Sequence, residues 1–203
     1  MVNLCEGNIQ MLLTDYYRDC FQIRDEALLA DLIAVSRIKT FQAGERLFKQ
    51  GEVPSQLCLL MQGVVRGFVL SENGKDITDC ISFRCGECAM PDNEIWRPAS
   101  INVEALEDCQ VVCIDMDDVQ QLLRSHPELI RVQQQLLLYE SRQHRELKIM
   151  AYQCTAAQRY QWFLEQYPGL IDRVQHKYIA SLLNMTPVTL SKIRRELKER
   201  IRV

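Results

Sequence analysis

The segment HKYIASLLNMTPVTLSKIRREL, residues 176–197, has the pattern of two short helices joined by a tight turn. Its first half carries apolar residues at helical spacing, and Asn184 stands where a residue in the left-handed conformation ends a helix. Thr186 is a suitable N-cap for the second helix, and Pro187 takes the first helical position, where the missing N–H costs nothing. The segment therefore predicts a helix-turn-helix.

The second helix of this segment has one apolar side and one polar side. At about 100° per residue, Leu190, Ile193 and Leu197 share the inner side, whereas Lys192 and Arg195 point outward. A recognition helix in the major groove of DNA needs residues near its N-terminus that can meet base edges, and cations further along for phosphates. The alternative is a solvated basic face on a helical hairpin. The predicted DNA-binding residues are Thr186, Pro187, Val188, Thr189, Ser191, Lys192 and Arg195.

Charge is distributed unevenly along the chain. The formal net charge is -3, yet residues 155–203 contain nine Lys or Arg and four Asp or Glu. A basic end on an acidic body predicts a polyanionic partner, here double-stranded DNA. No apolar stretch approaches the roughly 20 residues of a membrane span, and the start of the chain lacks a basic signal-peptide region. We therefore expect a cytoplasmic protein with no membrane partner.

The pattern of apolar residues in the rest of the chain changes from helix-like to strand-like and back to helix-like. Residues 8–38 have helical spacing, whereas residues 41–114 form short apolar runs separated by turn residues. Glu72–Lys75 predicts a hairpin turn, and Val103–Leu106 and Val111–Ile114 predict a strand pair around a second turn. This order predicts an α+β fold: an N-terminal β-roll of the double-stranded β-helix or jelly-roll type, a long dimerisation helix and a C-terminal helix-turn-helix domain.

A long helix is predicted between Pro127 and Cys154, where nothing breaks the chain. An apolar stripe sustained for about 25 residues is longer than one small domain needs to cover itself, which favours a seam between two copies of the chain. The alternative is a helix packed on the roll. The predicted seam residues are Leu129, Val132, Leu136, Tyr139, Gln143 and Met150.

The chain resembles the CRP/FNR family of bacterial transcription regulators over nearly its full length. The stretch FQAGERLFKQGEVPSQLCLLMQGVVRGFVL, Phe41–Leu70, is similar to the cyclic-nucleotide-binding-type β-roll of that family. The long helix looks like the family's dimer helix, and residues 179–197 look like its helix-turn-helix. The resemblance implies a homodimeric, sequence-specific transcription regulator that reads a two-fold-symmetric operator, with RNA polymerase as a further partner.

The same resemblance implies a domain division and an operator preference. Residues 1–126 would form the N-terminal helices and the sensor roll, residues 127–154 the dimerisation helix, and residues 155–203 the DNA-binding domain. Many family members carry Arg-Glu where this chain has Pro187 and Val188, which offer only apolar contact, for instance to a thymine methyl. Because of Pro187 and Val188, we expect a different operator preference. Lys192 aligns with a basic position that contacts DNA in the family, so we expect this lysine to contact the operator.

An effector position also follows from the resemblance. Cyclic-nucleotide-binding members hold the phosphate in a cassette with a Gly-Glu pair and an Arg-Ser/Thr-Ala triplet, for which the chain offers Gly86, Glu87, Arg97 and Ser100. If Ser100 is aligned with the Ser/Thr of the cassette, the arginine position falls on Ala99. If the alignment is counted forward from Glu87 instead, the arginine position falls on Arg97, but the following strand then needs an insertion. A buried phosphate without a well-placed guanidinium is costly. The effector stays unidentified, and we expect no cyclic nucleotide.

Cys85 and Cys88 form a C-x-x-C pair in this segment. No second C-x-x-C or H-x-x-H completes a tetrahedral metal site, so an incidental thiol is the default interpretation of each. The alternative is a regulator in which Cys85 and Cys88 respond to redox state, a metal or haem. A cupin-like metalloenzyme would need histidine ligands, yet no histidine falls between Phe41 and Ile114. Since nucleophile-elbow, P-loop and H-E-x-x-H motifs are also missing, we expect no enzyme.

Overall fold

The computed structural model describes residues 6–92 and 96–201. The elements of this part are, in chain order, α1 Glu6–Phe21, α2 Glu26–Val35, β1 Arg37–Phe41, β2 Arg46–Phe48, β3 Gln56–Gln62, β4 Val65–Leu70, β5 Asp76–Ser82, β6 Asn102–Ala105, β7 Cys109–Asp115, α3 Met116–Ser125, α4 Glu128–Gln153, α5 Ala156–Gln166, α6 Leu170–Arg173, α7 His176–Leu182 and α8 Pro187–Ile201. The predicted α+β class, with an N-terminal β-roll and a C-terminal helix-turn-helix, is confirmed.

Two sheets build the β-roll. One has the strand order β1-β7-β3 and the other β2-β6-β4-β5. Strand β7 pairs antiparallel with β1 and β3, and because side chains alternate along a strand it serves two cores. Val112 and Ile114 pack against helices α1, α2 and α3, whereas Val111 and Cys113 face the interior of the roll. The roll is thus apolar on both faces of its three-stranded sheet.

The hairpin predicted at Glu72–Lys75 is present between β4 and β5. The Ser71 N–H donates to the Lys75 carbonyl at 2.9 Å, and the Gly74 N–H donates to the Ser71 carbonyl at 2.8 Å. Gly74 has a φ of 72°, which glycine adopts without steric cost. This turn could be predicted because its signal is local.

The predicted pairing of residues 103–106 with 111–114 is wrong. Strand β6 lies in the four-stranded sheet and β7 in the three-stranded sheet, so the chain crosses between sheets at their connection. The β3–β4 connection makes the same crossing, and the Leu106 N–H donates to the Val64 carbonyl at 2.8 Å where the two meet. A Cβ at Gly63 would lie 2.5 Å from Cys109 Sγ. Two tightly packed crossings therefore stand where the sequence pattern indicated a hairpin.

The described chain forms two compact units. One contains the described residues up to Gly67 together with Ile81–Leu138, and the other contains Phe68–Cys80 together with the described residues from Tyr139 onward. Within the second unit, Phe163, Ile179 and Leu190 are fully buried. The domain boundaries predicted after residues 126 and 154 separate a sensor, a dimerisation helix and a DNA-binding domain by function. They stay a prediction.

Candidate functional site

The turn between α7 and α8 has the geometry that its residue types predicted. Asn184 has a φ of 49°, in the left-handed region. The Met185 N–H donates to the Ala180 carbonyl at 2.9 Å and the Asn184 N–H to the Ser181 carbonyl at 3.0 Å, which is the Schellman pattern. The Thr189 N–H donates to Thr186 Oγ1 at 3.1 Å, so Thr186 is the N-cap of α8. The helix-turn-helix prediction is confirmed.

Helix α5 holds this turn from behind. The Arg159 guanidinium donates to the Asn184 carbonyl at 3.3 Å and to the Cys154 carbonyl at 2.8 Å. Thr155 caps α5 through a capping box with Gln158. The start of α8 is therefore fixed by backbone and capping bonds, which leaves its outer side chains unobstructed by the turn itself.

The outer side of α8 is exposed where the sequence predicted a DNA contact. Val188 is 79% exposed, and the Lys192 side chain is 69% exposed. Thr189 is half-buried, and its hydroxyl lies 2.8 Å from that of Thr186. The remaining predicted residues are also exposed: Thr186, Pro187, Ser191 and Arg195. The structure thus brings all seven to the first turns and outer side of one helix, although the contact with DNA itself stays a prediction.

Two further charged contacts shape this surface. Lys192 Nζ lies 3.9 Å from Glu196 Oε1, an exposed pair one helical turn apart. Arg194, which the sequence did not assign to DNA, contacts the His176 imidazole from the flank of α8. Arg194 also lowers the pKa of Tyr160 against the larger upward effect of burial on that phenol. Arg194 is thus engaged within the domain, whereas Lys192 and Arg195 are exposed.

The exposed apolar side chains of helix α4 are not those of the predicted seam. Leu129 and Leu136 are half-buried against the core formed by α1, α2 and α3, so these two predicted seam residues pack within their own chain. Val132, Tyr139, Gln143 and Met150 are also half-buried. The large exposed apolar side chains of this helix are Ile130, Leu137, Leu138, Ile149 and Tyr152. At 100° per residue they lie on the side opposite the predicted stripe.

The predicted effector residues Gly86 and Glu87 lie in a loop beside β3. The Glu87 carboxylate accepts from the Phe83 N–H at 2.7 Å and the Arg84 N–H at 2.9 Å, and it lies 3.1 Å from the Arg84 guanidinium. The side chain is only 11% exposed. Glu87 therefore stabilises its own loop with the oxygens that a ribose hydroxyl would need.

Ser100 and Arg97 lie in a separate loop. The Ser100 N–H donates to Asp92 Oδ2 at 2.6 Å and the Ser100 hydroxyl donates to Asp92 Oδ1 at 2.8 Å. The carboxylate of Asp92 thus accepts the two hydrogen bonds that Ser100 could offer a phosphate, a partner that the sequence analysis missed. Arg97 is exposed. A buried guanidinium does exist in the roll, but Arg66 pairs with Glu104 at 2.7 Å.

The cysteines form contacts that the sequence spacing did not reveal. The structure shows Cys20, Cys58, Cys80, Cys85, Cys88, Cys109, Cys113 and Cys154 as thiols. Cys58 and Cys113 are cross-strand partners with their sulfurs 3.1 Å apart in the roll interior. The loop of Cys85 approaches Cys20 of α1, since a Cβ added at Gly86 would lie 3.0 Å from Cys20 Cβ. Among residues 6–92 and 96–201, His, Cys, Asp and Glu side chains form no group of three that could hold a metal.

Comparison with known proteins adds a domain match and a fold. The family profile of the cyclic nucleotide-binding domain matches residues 38–126. FixK2 from Bradyrhizobium japonicum superposes with a TM-score of 0.74 at 16% identity, over 82% of this chain and 86% of that one. CLP, a c-di-GMP-responsive global regulator of Xanthomonas campestris, gives a TM-score of 0.67 at 14% identity, covering 87% and 93%. The chain has the CRP/FNR fold.

Other CRP/FNR structures agree. The catabolite activator protein of Thermus thermophilus is 20% identical, with a TM-score of 0.53 over 89% of this chain and 87% of that one. No curated protein sequence matches the chain. The match to the cyclic nucleotide-binding domain runs from β1 to just beyond α3. Within the described residues, the longest helices are too polar or too short to cross a membrane.

Proposed function

We propose that the chain is a homodimeric, sequence-specific DNA-binding transcription regulator of the CRP/FNR type, controlled by an effector of the β-roll. The observation that carries this proposal is the first turn of α8. It presents exposed Thr186, Pro187 and Val188 at the N-terminus of a capped helix, with Lys192 and Arg195 further along the same side. RNA polymerase stays a predicted partner.

Each exposed residue has a chemical task in this proposal. Pro187 and Val188 offer apolar surface to a thymine methyl, and the hydroxyls of Thr186 and Ser191 can bond base edges or phosphates. Lys192 reads a base edge such as the O6 or N7 of guanine, and Arg195 contacts the phosphate backbone. This face differs from one built on Arg-Glu, so the operator differs as well.

The DNA part is tested by fluorescence anisotropy with the upstream DNA of the chain's own gene and with random DNA, across a salt series. Equal affinity for both DNAs would contradict sequence-specific regulation. Lys192→Ala should relax specificity, whereas Arg195→Ala should weaken binding to both DNAs alike. Lys49→Ala is the matched control: its side chain is 63% exposed and 3.6 Å from Glu52, close to the 69% and 3.9 Å of Lys192.

The homodimer is proposed to form through α4. Five large apolar side chains on one side of this helix are exposed, among them Leu138 at 68% and Tyr152 at 82%. A second copy would cover this surface, because apolar burial is the main driving force of association. Leu137→Glu should convert the dimer to a monomer in light scattering, whereas Gln135→Glu adds the same charge at an exposed polar position and should not. A monomeric unsubstituted protein would contradict the dimer.

The effector of the roll is proposed not to be a cyclic nucleotide. The Asp92 carboxylate accepts both Ser100 donors, and Glu87 is engaged with its own loop. An entering phosphate would have to displace Asp92 and would meet its negative charge. A ligand that binds only the native state raises the Tm. Since we expect no binding, titration with cyclic AMP or cyclic GMP should leave the Tm unchanged. A Tm rise at micromolar nucleotide would refute this part of the proposal.

A further inference from the structure

A thiol at the end of α1 lies near the loop that carries the C-x-x-C pair. Cys20 is in the last turn of α1, and Cys85 and Cys88 are in the loop that follows β5. Cys85 is exposed, whereas Cys20 and Cys88 are half-buried. The roll therefore has a solvent-accessible thiol, Cys85, in a loop that approaches the half-buried Cys20 of a different element.

The partner of Cys85 is Cys20. Cys85 lies close enough to Cys20 to contribute, after burial, to the raised pKa of the Cys20 thiol. The backbone beside Cys85 independently shows how near α1 lies, since a Cβ added at Gly86 would be 3.0 Å from Cys20 Cβ and 3.7 Å from Cys20 Sγ. A disulfide needs Cβ atoms about 4 Å apart. Because Gly86 directly follows Cys85, this close approach to Cys20 brings the Cys85 side chain within reach of that geometry.

Backbone hydrogen bonds hold the loop against α1 and β3. The Gly86 N–H donates to the Leu60 carbonyl at 2.8 Å, and the Leu60 N–H donates to the Glu87 carbonyl at 2.8 Å. The Tyr16 hydroxyl of α1 donates to the same Leu60 carbonyl at 3.3 Å. One carbonyl thus joins the helix, the strand and the loop. The contact of Cys20 with Cys85 belongs to this fixed arrangement.

Cys88 has a different environment. It forms an antiparallel bridge with Leu59 and packs against the core under the helices. Its backbone is committed to the edge of β3, and Ala89 continues this edge by donating to the Cys58 carbonyl at 2.9 Å. The C-x-x-C spacing alone would pair Cys85 with Cys88, but the fold directs Cys88 into the core.

We propose that Cys20 and Cys85 form a redox modification site, in which a hydroperoxide oxidises exposed Cys85 and Cys20 resolves the product as an intramolecular disulfide. In the first step the Cys85 thiolate attacks one peroxide oxygen, giving Cys85 sulfenic acid and releasing an alcohol or water. In the second step Cys20 sulfur attacks Cys85 sulfur, and the hydroxyl leaves as water with the proton of Cys20. Two thiols and one hydroperoxide yield one disulfide, one alcohol and one water.

The two roles follow from exposure and protonation. Burial raises the pKa of Cys20 to about 12, helped by the hydrogen bond with Cys85. Cys20 therefore keeps its proton at neutral pH and is a poor first nucleophile, whereas Cys85 meets the solvent. A small thiol reductant reverses the reaction by attacking the exposed Cys85 sulfur of the disulfide.

Peptide mapping of the unsubstituted full chain tests the proposal. The reduced protein is treated with one equivalent of hydrogen peroxide, blocked with N-ethylmaleimide and digested without reductant. Trypsin cleaves after Arg84 and a glutamate-specific protease after Glu87, so Cys85 and Cys88 fall on different peptides. We expect the Cys20 peptide linked to the Cys85 peptide. A Cys85–Cys88 link, a link between chains or sulfinic Cys85 without a disulfide would overturn the proposal.

Three variants sharpen this test. Cys88→Ser should keep the disulfide, and Cys20→Ser should abolish it and leave a Cys85 sulfenic acid that dimedone traps. Cys154→Ser, at the end of α4, is the control and should behave like the unsubstituted protein. Loss of the disulfide in Cys88→Ser would overturn the assignment of Cys20. The mapping involves no DNA, so its failure is distinguishable from failure of the proposed function.

Discussion

Gly63 marks the point where the two sheet crossings of the roll meet, and its replacement should be far more harmful than a glycine change elsewhere. A Cβ there would lie 2.5 Å from Cys109 Sγ, 2.8 Å from Cys109 Cα and 2.9 Å from the Asp108 carbonyl oxygen. Its φ of 109° is also unfavourable for any L side chain. Gly74 also has a positive φ, 72°, but a Cβ there would meet no atom within 4 Å.

The pair Gly63→Ala and Gly74→Ala therefore separates backbone strain from steric clash. Strain alone costs roughly 1–2 kcal/mol, which is the loss expected for Gly74→Ala. Overpacking adds about 1–3 kcal/mol, and it falls at the upper end for Gly63→Ala because two of the three atoms are backbone and cannot rotate away. We expect Gly63→Ala to lower the free energy of unfolding by about 3–5 kcal/mol in total.

Urea unfolding followed by circular dichroism measures both losses. With a slope of about 2–3 kcal/mol/M for a chain of this size, Gly63→Ala should lower the urea midpoint by roughly 1–2 M. Adding Cys109→Ala should not restore it, since the Cys109 Cα and the Asp108 carbonyl remain. Equal midpoints for the two alanine variants would show that the crossings do not pack as described.

Three other predictions concern the recognition turn, the effector loop and the thiols. Thr186→Ala removes the N-cap of α8 and should cost about 1 kcal/mol in urea unfolding, whereas Asn184→Gly should be neutral or stabilising, because glycine tolerates the left-handed conformation; equal losses would contradict the turn geometry. Asp92→Ala removes both bonds to Ser100 and should lower the Tm by about 2–4 °C for each kcal/mol lost, while Glu72→Ala, in the β4–β5 turn, should leave it unchanged. The alkylation rate of Cys20 should keep rising through pH 10, since its pKa of about 12 keeps the thiol protonated below that value; a plateau near pH 9, read by mass spectrometry, would contradict the burial of this thiol.

Local residue chemistry was enough to predict the helix-turn-helix. Asn184, Thr186 and Pro187 each fit one position of the turn, and their side-chain or backbone bonds reach no further than a few residues. The outer face of α8 followed from helical periodicity in the same way. These features depend on interactions between near neighbours in the chain, which a sequence shows directly.

Features that depend on distant neighbours escaped the sequence. Residues 103–106 and 111–114 have the pattern of a hairpin, but they do not pair with each other. Strand β6 pairs with β2 and β4, and strand β7 pairs with β1 and β3. Cys20 meets Cys85 across 65 positions, which no spacing rule indicates. The apolar stripe of α4 predicted a seam, but periodicity cannot say whether Leu129 and Leu136 face a second copy or their own roll.

The exposed pair of Lys192 with Glu196 has a consequence for how DNA contacts are counted. Each phosphate neutralised by a protein cation normally releases condensed counterions, and the slope of log K against log salt falls by about 0.9 for each one. Lys192, which the proposal places at a base edge, lies 3.9 Å from Glu196 Oε1 in the free protein, and on leaving this carboxylate for DNA it frees Glu196 to attract a cation from solution. Ion release at the DNA is then partly balanced by ion uptake at Glu196. A salt titration of this protein would therefore undercount its cationic contacts, and Glu196→Gln would steepen the slope without adding any contact.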